Sequence, residues 1–217
     1  MHDHPRLLAV AHGTESAAGS TTTARLVEAV RAARPSIAVD LCFLDVASPR
    51  LADALDERPT VVVPLLLSTG YHVQTDIPAL VASYPATRVA AHLGPDPLVI
   101  ACVFDRLAQT RSDAPGGSTV LVGAGSSRPE AALELAEAAR QLGAALGRDV
   151  TMLTMADDLR AALSVLPAPV DVATYLLAEG RFVSTLREAA EAIATVSPPL
   201  GVHPALVELI WSRYDAV

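Results

Sequence analysis

The chain has 217 residues, 51% of them apolar and 18% charged, and 24 acidic against 16 basic residues leave a formal charge of −8. Every basic residue is an arginine and none lies in a run, so the clustered cations that neutralise nucleic-acid phosphates are absent. Mean hydropathy is positive, yet no apolar run reaches the roughly 20 residues that span a bilayer, and the opening MHDHPRLL has no signal-peptide core; the expectation is a cytoplasmic protein with no nucleic-acid or membrane partner.

Short β-branched runs alternate with alanine-rich helical stretches. Strands are expected at residues 7–11, 37–43, 60–67 and 88–91, and helices at 22–34, 50–55, 77–83 and 97–109. Such alternation implies a parallel sheet covered on both faces. TVVVPLLL at 60–67 is apolar without alternation, as a central parallel strand should be, although Pro64 suggests an early end or an irregularity. Cys42 and Cys102 each sit in an apolar stretch and read as buried free thiols. Met152 and Met155 read as core.

The pattern breaks at SDAPGGS, residues 112–118, a small polar linker. A second copy of the plan follows. Ala11-His12-Gly13-Thr14-Glu15 aligns with Gly123-Ala124-Gly125-Ser126-Ser127. Leu66-Leu67-Ser68-Thr69-Gly70-Tyr71-His72 aligns with Leu176-Leu177-Ala178-Glu179-Gly180-Arg181-Phe182, and Leu93-Gly94-Pro95-Asp96-Pro97 with Leu200-Gly201-Val202-His203-Pro204. The three landmarks keep their order at offsets of 112, 110 and 107 residues. The expected architecture is α/β: two similar half-domains, 1–111 and 119–217, each a parallel sheet flanked by helices, facing across a cleft at the carboxyl ends of the strands.

One half serves as a control for the other. His12 and His72 fall at strand ends, where such folds present functional groups, and the second half has Ala124 and Phe182 there instead. Paired loss marks the two histidines as functional; together they suit one divalent ion. Asp45, after the second strand, is a third ligand, a partner orienting an imidazole or a relay for protons, unless it or Ser48 simply caps the helix near Arg50. His-Gly-Thr-Glu at 12–15 lacks the preceding arginine of phosphohistidine enzymes, having Ala11 instead, which removes their phosphate clamp. His92 and His203 sit in matching loops and read as structural, and His2 and His4 as solvated terminal residues.

These landmarks, Ala-His-Gly-Thr at 11–14, Phe-Leu-Asp at 43–45, Pro-Leu-Leu-Leu-Ser-Thr-Gly-Tyr-His-Val-Gln-Thr-Asp-Ile-Pro at 64–78 and Leu-Gly-Pro-Asp-Pro at 93–97, resemble the class II tetrapyrrole metal chelatases, specifically the sirohydrochlorin chelatases. His-Val-x-x-Asp-Ile-Pro is the most specific element. The resemblance spans the whole chain and implies two chelatase-type halves around a macrocycle, with His12 and His72 binding metal and acting in catalysis. Asp45 stands where the family commonly has Glu, and Glu15 where its turn often has Arg, while Ser127-Arg128 keeps a basic residue in the second half.

The implied activity is that of a lyase inserting Fe²⁺ or Co²⁺, as substrate, into sirohydrochlorin for sirohaem or cobalamin synthesis, with no organic cofactor and no ATP. A non-catalytic metal or tetrapyrrole carrier on the same fold is the alternative. Gly13, Thr14, Ser68, Thr69, Gly70 and Tyr71 are expected to line the substrate site, with Arg128 and Arg181 gripping its carboxylates from across the cleft. A duplicated chain is expected to be a monomer.

Overall fold

A computed structural model describes residues 4–111 and 116–217, and of His72 only the backbone. The expected linker therefore lies in large part outside the described residues, as does His2.

Among the described residues, eight strands form two all-parallel sheets. β1 (Arg6–Ala11), β2 (Val39–Phe43), β3 (Thr60–Pro64) and β4 (Thr87–Val89) are ordered β2-β1-β3-β4. β5 (Ser118–Gly123), β6 (Val150–Thr154), β7 (Val170–Tyr175) and β8 (Ala194–Val196) repeat that order as β6-β5-β7-β8. The central strands β1, β3 and β7 are buried at every residue, because helices cover both faces of a parallel sheet.

The connections carry α1 (Ala17–Ala33), α2 (Leu51–Ala54), α3 (Ile77–Val81), α4 (Pro97–Ala108), α5 (Pro129–Leu146), α6 (Leu159–Ser164), α7 (Arg181–Ala190) and α8 (Pro204–Asp215). Leu8, Val10, Cys42 and Val62 on the outer face of the first sheet pack with Leu51, Ile77 and Val81 of α2 and α3. Val120, Val122 and Val172 do the same in the second sheet with α6 and α7. The two inner faces share one core with α1, α4, α5 and α8, which form a helical layer between the sheets.

Within that layer the last helix of each copy is exchanged. α4, from the first copy, packs on β7 and α5; α8, from the second, packs on β3 and α1. Leu206, Leu209, Ile210, Trp211 and Tyr214 of α8 are buried, and the Trp211 indole donates to the Val30 carbonyl of α1.

Four sequence expectations shift. α1 begins at Ala17 rather than Thr22, because Ser16 caps it by accepting the Gly19 N–H. Thr21, Thr22 and Thr23 stay helical by turning their hydroxyls onto the carbonyls of Ala17, Ala18 and Gly19. β3 ends at Pro64, whose nitrogen faces the β4 side beyond the last β3–β4 pair, Val62 with Val89, so its missing N–H breaks no ladder bond. Met152 is exposed, not core, because β6 is an edge strand; Met155 is half-buried.

Candidate active-site cleft

The strand ends of both sheets open on one another. A Cβ added to Gly70, after β3, would have Ser126 Oγ, after β5, 3.9 Å away, and one on Gly180, after β7, would lie 3.4 Å from Thr14 Oγ1, after β1. Gly19 of α1 packs so closely on the Glu179 carbonyl that a side chain there would collide with it. His12, Asp45 and His72 sit on three successive loops at this edge of the first sheet, although the spacing between the His72 side chain and the others lies outside the described atoms.

His12 follows β1 and is exposed, with Nδ1 3.4 Å from the Gly13 carbonyl oxygen. Its own carbonyl accepts the Asp45 N–H at 2.8 Å, which ties the first loop to the second. Gly13 makes this approach possible: its φ is +102°, and a Cβ would collide with the Asp45 carbonyl oxygen. Thr14 accepts the Ser16 N–H through its hydroxyl at 3.1 Å.

Asp45 caps no helix. Its Oδ1 accepts the Val46 N–H at 2.8 Å and an Arg50 N–H at 2.9 Å. The Val46 backbone bond first, then the Arg50 bond, hold the carboxyl below the usual aspartate range. Val46 follows with φ +64°, a strained setting for a β-branched residue.

After β3, residues 65–71 lead to a π-helical turn, His72–Asp76, that runs into α3. π turns are frequent at functional sites. In this loop Ser68 and Gly70 are half-buried, and Thr69 is buried. Tyr71 is 57% exposed, and the Arg128 guanidinium lies 5.8 Å from its ring centroid. Arg128 precedes α5, whose first turn has no side-chain cap and opens on Pro129, which carries no N–H; the Ala131 N–H is taken by the Arg128 carbonyl at 3.2 Å. Arg181 opens α7 on the surface and forms no ion pair with any described residue; Phe182 beside it is 48% exposed.

The cleft thus brings Tyr71 and Arg128 together and sets His12 beside Asp45. Among the described residues no three His, Cys, Asp or Glu side chains converge to hold a metal ion. His203 caps α8, accepting the Ala205 N–H at 3.2 Å, with Nε2 3.1 Å from Asp105. His92 lies instead beside Glu134, 3.2 Å from its carboxylate. Sequence reasoning missed Glu134, which looks like one more glutamate on an exposed helix until the fold sets it against Thr69. Among the described residues no helix is long and apolar enough to cross a membrane.

The CbiX family model matches the chain twice, at residues 6–110 and 118–217. The sirohydrochlorin ferrochelatase of Priestia megaterium is 27% identical over 231 residues, covering 94% of this chain and 87% of that protein. Among solved structures, the sirohydrochlorin chelatase SirB from Bacillus subtilis subspecies spizizenii in complex with cobalt superposes with a TM-score of 0.78 at 22% identity, covering 98% of this chain and 94% of that one. SirB from Bacillus subtilis with Fe3+ gives 0.79 at 20% identity with the same coverage. The doubled match and the doubled sheet coincide, and the chain belongs to the CbiX family of class II chelatases.

Proposed function

We propose that the chain is a sirohydrochlorin chelatase, a lyase that inserts a divalent metal into the ring without ATP and serves sirohaem synthesis with Fe²⁺ as its physiological substrate. The observation that carries this reading is the cleft edge where His12, Asp45 and His72 occupy adjacent loops of the first sheet while Ala124 and Phe182 replace the histidines in the second. The full-length likeness to a ferrochelatase supports the substrate and the iron; the cobalt complex of a structural relative keeps Co²⁺ as the competing metal.

Insertion removes two pyrrole N–H protons and strips water from the ion. Imidazole is the side chain that both ligates divalent metals and accepts protons, which is the chemistry His12 and His72 would supply, and Asp45, held ionised, adds a negative oxygen on the loop bonded to that of His12. The exposed faces of Tyr71 and Phe182 suit a planar ring. Arg128 and Arg181 offer donors to its carboxylates, which offsets the overall charge of −8 locally while distant charges are screened. Gly13, Thr14, Ser68, Thr69 and Gly70 supply the loop backbone around the ring. Each copy lends the other a helix within one chain, which favours a monomer.

The test is the absorbance change of sirohydrochlorin on anaerobic addition of Fe²⁺ or Co²⁺. Catalysed insertion that is lost in His12→Ala and in His72→Ala supports the reading. A wild-type rate equal to the spontaneous one points to a carrier, and full activity in both variants rejects the assigned site.

A further inference from the structure

The loop that leads to His72 is fastened by the half of the chain that has no cleft histidines. Glu134, in the second turn of α5, accepts both the backbone N–H and the hydroxyl of Thr69, at 2.5 Å each, one on either carboxylate oxygen. The Thr69 hydroxyl and Glu134 Oε1 share their surroundings with His92, whose Nε2 lies 3.2 Å from Oε1, buried and outside hydrogen-bond geometry. The side chains of Glu134 and His92 are only 22% and 16% exposed, and Thr69 is 7% exposed. A second bond from the same half reaches the same loop: the Tyr175 hydroxyl of β7 donates to the Leu67 carbonyl at 3.3 Å.

The equivalent place in the other copy lacks this clamp. Thr22 stands where Glu134 stands, and its hydroxyl turns back to the Ala18 carbonyl of its own helix at 2.8 Å. Glu179 stands where Thr69 stands, and its carboxylate is taken by Arg187 of α7 at 2.8 and 2.9 Å. The carboxylate clamp is therefore present only on the loop that carries a histidine, and absent where Phe182 replaces it.

We infer that Glu134 is a positioning residue for the loop that carries His72, holding Thr69 so that the backbone three residues on, where His72 begins the π-helical turn, keeps one course at the cleft edge. A bidentate carboxylate taking an N–H and an O–H is a strong, directional pair of bonds, and misplacing a reacting group by about 1 Å can lower a rate roughly a hundredfold. The effect on rate rests on the chelatase reading; the clamp itself does not.

Two variants of the full chain separate the possibilities. Glu134→Ala removes both bonds. Glu134→Gln keeps them, with its carbonyl accepting the Thr69 N–H and its amide donating to the Thr69 hydroxyl. The expected result is amide exchange across residues 68–76 at least about tenfold faster in Glu134→Ala, metal insertion roughly ten- to a hundredfold slower at a KM within about twofold of wild type, and Glu134→Gln close to wild type in both measurements. Unchanged exchange in Glu134→Ala overturns the clamp. Faster exchange with full turnover overturns its role in the reaction, and a glutamine variant as slow as the alanine one overturns positioning in favour of charge. If the wild-type protein inserts no metal, the chelatase reading fails by itself, and the exchange comparison still decides whether Glu134 holds the loop.

Discussion

Arg106 of α4 and Arg213 of α8 stand 107 residues apart at matching positions of the two copies, and each reaches into the opposite copy. Arg213 donates to the His92 and Leu93 carbonyls at 3.0 and 3.2 Å and to Asp96 at 2.9 Å. Arg106 donates to the Leu200 and Val202 carbonyls at 2.9 and 2.8 Å. The exchanged helices are thus pinned symmetrically, each to the turn that begins the other. Arg213 has the larger role, because Asp96 both pairs with it and caps α4 through the Leu98 N–H. Arg213→Ala leaves a carboxylate that is 17% exposed without its cation and is expected to destabilise by about 2–4 kcal/mol; Arg106→Ala, which frees only neutral carbonyls, by about 1 kcal/mol. Urea unfolding of both variants checks the order, and an equal loss in the two would remove the argument for Asp96.

A chain ending before Pro204 loses α8 and with it the cover over β3 and α1. Leu206, Leu209, Ile210 and Trp211 each bury a large apolar side chain, worth roughly 1.5–3 kcal/mol apiece, and their combined loss is comparable to the whole net stability of a typical domain. The truncated chain is expected to show no cooperative thermal transition by circular dichroism. A sharp transition would mean that the first sheet stands without the borrowed helix.

Cys42 and Cys102 have fully buried side chains, and burial pushes both thiols up to about 12. Native protein at pH 8 is therefore expected to react with a thiol reagent only through opening, with two thiols titrating once it is unfolded. Between about pH 9 and pH 12 the unfolded chain releases protons that the native state retains, so each thiol contributes stability that is complete below pH 9 and falls as pH rises across that window. Rapid labelling of the native protein would contradict the burial.

The strand–helix alternation and the doubled plan were legible because apolar periodicity and turn residues act locally, at Ala11-His12-Gly13 and again at Gly123-Ala124-Gly125. The exchange of α4 and α8 was not: an apolar stripe says that a helix face is buried, not which sheet buries it. His12 and Asp45 could be placed at strand ends from the sequence, and the structure adds the backbone bond between their loops that Gly13 permits. Glu134, Thr69 and His92 come from three separate segments, and only tertiary packing sets them together. The π-helical turn at His72 left no mark either, since its residues are compatible with an ordinary helix start.

Asp45 sits on the loop whose backbone bonds to His12, and its protonation state follows from its partners. The Val46 N–H and then the Arg50 guanidinium favour the charged form, so Asp45 stays anionic at neutral pH. Because its native pKa is depressed, the small stabilisation it gives is present above the ordinary aspartate value of about 4 and is lost as pH falls through the native one. Arg50→Ala removes one of the two principal causes and is expected to move the Asp45 titration, followed by carbon-13 NMR of its carboxyl, upward toward that ordinary value while leaving the Val46 bond in place. It also frees Oδ1 from a competing cation, so Co²⁺ should bind more tightly to Arg50→Ala than to wild type, and less tightly to Asp45→Asn. Equal Co²⁺ affinity in all three proteins would remove Asp45 from the metal site and leave the imidazoles to act without it.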